Sequence, residues 1–327
     1  MSRGSARALE VEGCVELART ERSGLIESRH IGAAAVIDAD GTVLRAVGDV
    51  HATIYPRSTL KPLQAVAMLR AGAQFTDVEL VLAVSSHCGS PEHVAIVERM
   101  LADDRRNEHS LLCPPLWPLG SEQRATLQAS GLGPSRLTNN CSGKHAGLLR
   151  ASDALGADAA QYLEAEHPVQ ALVRDVVAEF TAQPLPHLAV DGCGAPMAAT
   201  SLAGLARGIA RLAHGDDPDA RRVMQAVIAE PWAIDGAGRA NTIVIERLGA
   251  LAKLGTEGLV VIGTREGIAV AVKALDGSMR ATTPVALALL ATVGAIDSAV
   301  ARELIDETSQ RVHAGGREIG RLLVSVA

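Results

Sequence analysis

The apolar pattern of this chain changes period twice, and that limits the architectures open to it more than any single motif does. Residues 31 to 48 read as a hairpin: an apolar run from Ile31 to Ile37, a turn at Asp38-Ala39-Asp40-Gly41, and a β-branched return from Thr42 to Val47. From Ser58 the spacing becomes helical, with Leu60, Leu63, Val66, Ala67 and Leu69 on one helix that Ser58 or Thr59 would cap. Helical spacing then dominates to about residue 250, with candidate helices at 91–103, 142–155, 169–180, 196–212 and 220–229, many bounded by proline or glycine. Strand character returns at Leu259–Gly263 and Ile268–Lys273, followed by helices at 284–293 and 298–308 and a short last strand at 322–326. Strands at both ends with helices between predict an α+β fold, in which the N- and C-terminal strands share one antiparallel sheet and the middle forms a helical lobe. The sheet part is expected at about 10–56 and 255–327 and the lobe at about 57–254 of one domain spanning 1–327, with a functional cleft between the two.

Bulk properties exclude several classes of function. A net charge of −6 with no basic stripe argues against nucleic-acid binding, and 2% aromatic residues leave no stacking platform for bases or sugars. The ligand is expected to be small and polar. No run reaches the ~18 apolar residues of a membrane span, and the first residues, Met1 to Arg7, lack the apolar core of a signal peptide, so no membrane association and a cytoplasmic location are expected. Five cysteines, an odd number, favour thiols or metal ligands over a disulfide framework.

Lysine usage points to the chemistry. The chain has four lysines against 27 arginines, and three of the four stand beside serine, cysteine or an Asp-Gly pair: Lys61 in Ser58-Thr59-Leu60-Lys61, Lys144 in Cys141-Ser142-Gly143-Lys144, and Lys273 before Ala274-Leu275-Asp276-Gly277. A guanidinium keeps its proton in a protein, whereas a desolvated amine can lose it and act as a base or a metal ligand. Drift of surface lysines to arginine would leave survivors at random rather than in these places. Ser58 and Lys61 lie one helical turn apart on one face, which lets a neutral amine take the serine proton close to favourable helix N-terminal amides. Read alone, the pair is equally a capping serine with a solvated lysine. Ser86, in Ser85-Ser86-His87-Cys88-Gly89-Ser90-Pro91, offers a second hydroxyl, although the same residues make an ordinary loop-to-helix junction. Gly236 to Thr242 lacks the lysine of a phosphate loop and follows no clear strand, so it reads as a loop lining a site at most.

Cys141 and Cys193 each precede a predicted helix, where a thiolate is favoured, and two such thiolates can converge on a borderline cation such as zinc. The remaining ligands would come from Lys144, His145, Asp191 or water, and an incomplete protein shell is the arrangement of a catalytic rather than a structural zinc. Buried inert cysteines are the plain alternative.

Taken in order, Arg57-Ser58-Thr59-Leu60-Lys61-Pro62, Ser86-His87-Cys88-Gly89, Asn140-Cys141-Ser142-Gly143-Lys144-His145, Asp191-Gly192-Cys193-Gly194 and Lys273-Ala274-Leu275-Asp276-Gly277 resemble the asparaginase II-type family, the inducible zinc-containing L-asparaginases of the rhizobial type. The resemblance spans residues 10 to 325 and implies a fold similar to serine β-lactamases and glutaminases. It also implies hydrolysis of L-asparagine, with Ser58 and Lys61 as one Ser-Lys pair and Ser86 with Lys273 as a second. By the same resemblance Cys141, Lys144 and Cys193 hold Zn2+ with Asp191 close by, Arg57, His145 and Asp191 contact substrate, and the protein is a homodimer. Rival readings are a glutaminase or β-lactam-hydrolysing enzyme of the same architecture, and a non-catalytic zinc or thiol-redox protein, which would need no Ser-x-x-Lys helix.

Overall fold

The computed structural model describes residues 7–185 and 187–326. Ser23 and Gly24 both take positive φ (48° and 86°), as a two-residue type I′ turn requires, and join β1 (Val15–Arg22) to β2 (Leu25–Asp38). The chain returns from β2 as β3 (Val43–Val47), at the expected Asp38–Gly41 turn. A short β4 (Thr53–Ile54) and a 3-10 turn (Arg57–Leu60) then lead into the helical lobe. Its helices are α1 (Lys61–Arg70), α2 (Asp77–Val84), α3 (Pro91–Asp103), α4 (Ser121–Ala129), α5 (Ser142–Ala154) and α6 (Pro168–Thr181). Proline in the first turn of α1, α3 and α6 starts each helix at no hydrogen-bond cost.

A hairpin of β5 (Leu188–Val190) and β6 (Pro196–Ala198) interrupts the helices, and β7 (Thr200–Ser201) pairs with β4. The helix expected over 196–212 is therefore α7 (Leu202–His214), because the Ser201 side chain accepts from the Gly204 N–H and fixes the start there. After α8 (Pro218–Ala229) and α9 (Ala240–Leu248), the chain re-enters the sheet as β8 (Leu251–Gly255), β9 (Leu259–Gly263) and β10 (Ile268–Ala274). It closes with α10 (Thr282–Thr292), α11 (Ser298–Thr308), β11 (Val312–Ala314) and β12 (Arg317–Val324). The main sheet runs β11-β12-β1-β2-β10-β9-β8, with β3 also on β2, and its pairs are antiparallel. N- and C-terminal strands thus share one sheet around a helical middle, the α+β arrangement expected from the periodicity. Strands β1, β4, β5, β6, β7, β8 and β11 were beyond the reach of that reading.

Small residues let the layers approach. The Ala33–Ala35 run of β2 is fully buried, and a Cβ at Gly263 of β9 would stand 2.9 Å from Ile209 and Ala213 of α7. The same device positions the functional loops: a Cβ on Gly143 in the first turn of α5 would lie 2.4 Å from the Leu82 carbonyl oxygen of α2, and one on Gly147 would lie 2.8 Å from the Met68 sulfur. The start of α5 is thereby held against the end of α2. Gly143→Ala is expected to cost about 1–3 kcal/mol by overpacking and to lower the Tm by several degrees, while Gly133→Ala, with no atom within 4 Å and an ordinary φ, leaves it unchanged. Thermal denaturation of the two variants checks this.

Candidate active site

Ser58 lies in the Arg57–Leu60 turn rather than in α1 itself. In a 3-10 turn residues i and i+3 eclipse, so Ser58 and Lys61 share one side. The expected cap is absent: the residue before α1 is Leu60, and Thr59 Oγ1 instead donates to the Pro56 carbonyl at 2.6 Å. Ser58 is a buried residue whose hydroxyl makes no hydrogen bond to another described residue, Lys61 included. Arg57, just before it, holds a positive φ of 53°, a left-handed conformation that costs a non-glycine residue on the order of 1–3 kcal/mol. Its side chain is fixed by an ion pair from Nε to Asp191 Oδ1 at 2.7 Å. Arg57 and Asp191, expected to contact substrate, thus bind each other and tie the Ser58 turn to the β5–β6 hairpin.

Ser86 follows α2 in an extended segment anchored by backbone bonds, Ser86 N–H to Ile234 O (3.0 Å) and Cys88 N–H to Asp235 O (2.8 Å). Two buried amines reach its hydroxyl: Lys61 Nζ at 3.1 Å and Lys253 Nζ at 2.8 Å. Lys61 Nζ also donates to the Ser85 carbonyl and stands 3.2 Å from Cys141 Sγ, while Lys253 donates a further bond to Leu254 O at 2.8 Å. Burial, and then the charge of Lys61, brings the Lys253 pKa down to about 7.

The second amine at Ser86 is therefore Lys253 and not Lys273. Lys273 sits in β10, where its Nζ donates to the carbonyls of Glu257 and Ala274, and burial lowers its pKa against the pull of Glu257 and Asp276. Lys253 lies on β8, the strand packed against the Ser58 turn, where Gly255 would place a Cβ 3.0 Å from Thr59. Its trace in the sequence is a lone lysine inside the apolar run Leu251-Ala252-Lys253-Leu254, the one lysine with no serine, cysteine or Asp-Gly neighbour.

Cys141 occupies the position before α5, as expected, but Cys193 lies in the turn between β5 and β6 rather than at a helix start. Lys144 Nζ is 2.9 Å from Cys193 Sγ, and Asp191 Oδ2 is 3.7 Å from the same sulfur. Cys141, then the charge of Lys144 and the His145 ring, lower the Cys193 pKa against the effect of burial, while Cys193 and burial raise that of Cys141. Burial disfavours the Lys144 ammonium, but Cys193, Cys141 and Asp191 outweigh it and raise its pKa. The neutral amine expected at residue 144 is instead an ammonium paired with a thiolate. His145 is buried, with Nδ1 2.7 Å from the Tyr162 hydroxyl, which itself accepts from the Leu112 N–H at 2.8 Å.

Among the described residues, no three His, Cys, Asp or Glu side chains gather as a metal site; beside Cys141 and Cys193, the Lys144 amine, 2.9 Å from Cys193 Sγ, is a further donor at hand. The donor set fits zinc: two sulfurs and an amine are buried together, one sulfur is already ionised, and a metal's charge would displace the lysine proton. A surface cleft of about 530 Å3, lined by Asp38, Glu179, His214 and Asp217 among others, contains none of these residues.

Comparison with known proteins places this geometry. No curated protein matches the chain. Solved structures include a protein described as a β-lactamase from Mycobacterium bovis (17% identity, 80% of this chain and 94% of that chain, TM-score 0.42) and one described as a β-lactamase from Sphaerobacter thermophilus (14%, 82% and 93%, TM-score 0.41). Another, Mglu in its native form, has 15% identity over 81% of this chain and 64% of that chain, with a TM-score of 0.44. These scores are too low to bear on function. The model of the family described as L-asparaginase II matches residues 18–324, nearly the whole chain, and this protein belongs to that family.

Proposed function

We propose that this protein hydrolyses L-asparagine to L-aspartate and ammonia as a Ser-Lys amidohydrolase. Family membership supports an amidohydrolase role. The observation that carries the reading is the Ser86 hydroxyl held between two buried amines, one of which is brought to about pKa 7 and so takes up a proton and returns it near neutral pH.

Ser58 is the nucleophile. Its hydroxyl is free of protein hydrogen bonds and rides on the strained turn, whereas the Ser86 oxygen already accepts from two amines and suits a relay. Ser58 Oγ attacks the side-chain amide carbon, and the carbonyl electrons move to oxygen. The serine proton passes into the chain Lys61–Ser86–Lys253, and Ser86 delivers a proton to the amide nitrogen. The C–N bond then breaks, ammonia leaves, and an aspartyl ester remains on Ser58. Water adds to the ester, gives its proton to the same chain, and releases aspartate as the Ser58 hydroxyl re-forms. Cys141, Lys144 and Cys193 would hold a zinc ion, which supplies positive charge to anchor or polarise an oxygen ligand. The Arg57–Asp191 ion pair keeps the thiol hairpin and the nucleophile turn in register.

Ser58→Ala should cut ammonia release on the order of 10³-fold or more and leave zinc content, read by elemental mass spectrometry, unchanged. Ser86→Ala should cost on the order of 10²–10⁴-fold. Substantial activity in Ser58→Ala with none in Ser86→Ala would exchange the two roles. Cys193→Ser should lose zinc in the same elemental measurement.

The pH dependence has a definite sign. Neutral Lys253 is the proton acceptor and exists above its pKa, so kcat/KM should rise with pH through about 7. In Lys253→Met that ionisation should vanish from the profile along with most of the activity. A wild-type profile flat from pH 5.5 to 8.5 would contradict the assignment.

A further inference from the structure

A cleft of about 490 Å3 is lined by Cys88, Glu92, Gly120, Glu122, Gly236 and Arg239. Cys88, two residues beyond Ser86, forms its floor, with its N–H bonded to Asp235 O and its carbonyl accepting from Gly120 N–H. Arg239 stands on one wall, and the first turns of α3 and α4 form the others. Lys253 is near enough for Asp235 to act on its charge, so the Asp235–Arg239 pair and the Ser86 relay belong to one neighbourhood.

The pair is unusual in how its bonds are spent. Asp235 is buried, with a side chain 4% exposed, and both its oxygens are used: Oδ1 accepts from Arg239 Nε at 2.7 Å and Oδ2 from Asn241 Nδ2 at 3.2 Å. Arg239 gives only Nε to this bond. Its two terminal nitrogens have no hydrogen-bond partner among the described residues, and its side chain is 37% exposed in the cleft wall. A guanidinium anchored through Nε presents its terminal edge to a planar anion, the geometry that receives a carboxylate. Gly236 (φ 127°) packs closely against Cys88 and the Arg239 stem, where a Cβ would come within 2.6 Å of Cys88 Sγ and 3.1 Å of Arg239 Cδ. Two further groups complete the site. The start of α4, preceded by Gly120, contributes helix N-terminal polarity that favours an anion, and the cleft-lining Glu92 and Glu122 offer carboxylates to an ammonium.

We infer that this cleft binds a free amino acid as a zwitterion, with Arg239 as the anchor of its α-carboxylate and therefore a determinant of substrate choice. The inference rests on the amidohydrolase reading for its link to turnover but not for the binding itself.

Calorimetric titration with L-aspartate tests the site without any reaction. Arg239→Gln should weaken binding about 30-fold, the loss expected for a charge-assisted pair, and Arg239→Lys should recover part of it. Because Arg239→Gln leaves Asp235 buried and unpaired, the double variant Asp235→Asn/Arg239→Gln, which removes both charges, is measured beside it and should bind equally weakly. Kinetics then compare L-asparagine with its α-carboxamide, which lacks the anionic group. Wild type should prefer L-asparagine about 30-fold, and the preference should fall to within about 3-fold in the double variant. L-Aspartate binding within about 3-fold of wild type in the double variant, or none in wild type, overturns the inference. Arginine-dependent L-aspartate binding in a wild-type protein that cleaves neither amide upholds the site and rejects the hydrolytic reading.

Discussion

Everything at this site depends on one hydroxyl, Ser86, that accepts hydrogen bonds from two amines removed from water. Two ammonium groups within about 3 Å of the same oxygen repel each other strongly in a medium that screens poorly. One must give way. Lys253, wholly buried on β8 and bonded otherwise only to a backbone carbonyl, is the one that becomes neutral near pH 7. The thiols show the opposite outcome. There Lys144 faces a thiolate 2.9 Å away, and opposite charges keep both groups ionised despite their burial. Two lysines equally hidden from solvent thus shift in opposite directions: burial, then the charge of Lys61, lowers the Lys253 pKa, whereas Cys193, Cys141 and Asp191 outweigh burial at Lys144.

The fold supplies these neighbours by bringing remote segments into contact. Ser58 and Lys61 come from the turn into α1, Ser86 from the end of α2, Cys141 and Lys144 from the start of α5, Cys193 from the β5–β6 hairpin, and Lys253 from β8. Close packing makes the convergence possible, with Gly143 allowing α5 to touch the Leu82 carbonyl. The Arg57–Asp191 ion pair links two of these segments across 134 positions of sequence. Strain at Arg57 is offset by that pair, a backbone outlier maintained by its surroundings.

Much of this was legible in the sequence, for identifiable reasons. Helices with strong punctuation, such as α3 with Pro91 at its start, and strands with continuous β-branched runs, such as Leu259–Gly263, announce themselves locally. Ser58, Lys61, Ser86, Cys141, Lys144 and Cys193 lie in motifs whose residue types suggest their chemistry, and the structure gathers them. Lys273 was attractive for its Asp-Gly neighbour, yet sequence neighbours do not fix which long-range partner a strand residue meets. Lys253 gave no motif at all. Its only signal was energetic, a lysine inside an apolar run that must be buried at a cost unless its environment uses it. The pairing of Arg57 with Asp191 and the charge state of Lys144 were likewise beyond local reading, because both are set by contacts between residues far apart in the chain.

Since the chain has only four lysines, all of them can be followed at once by NMR with lysine labelled at the ε-carbon. The central claim is that one amine is uncharged in the folded protein near neutrality. The titration should show one resonance with a midpoint at about 7, absent from the spectrum of Lys253→Met. A Lys253 resonance that stays protonated to about pH 10, like an amine in water, would contradict the account.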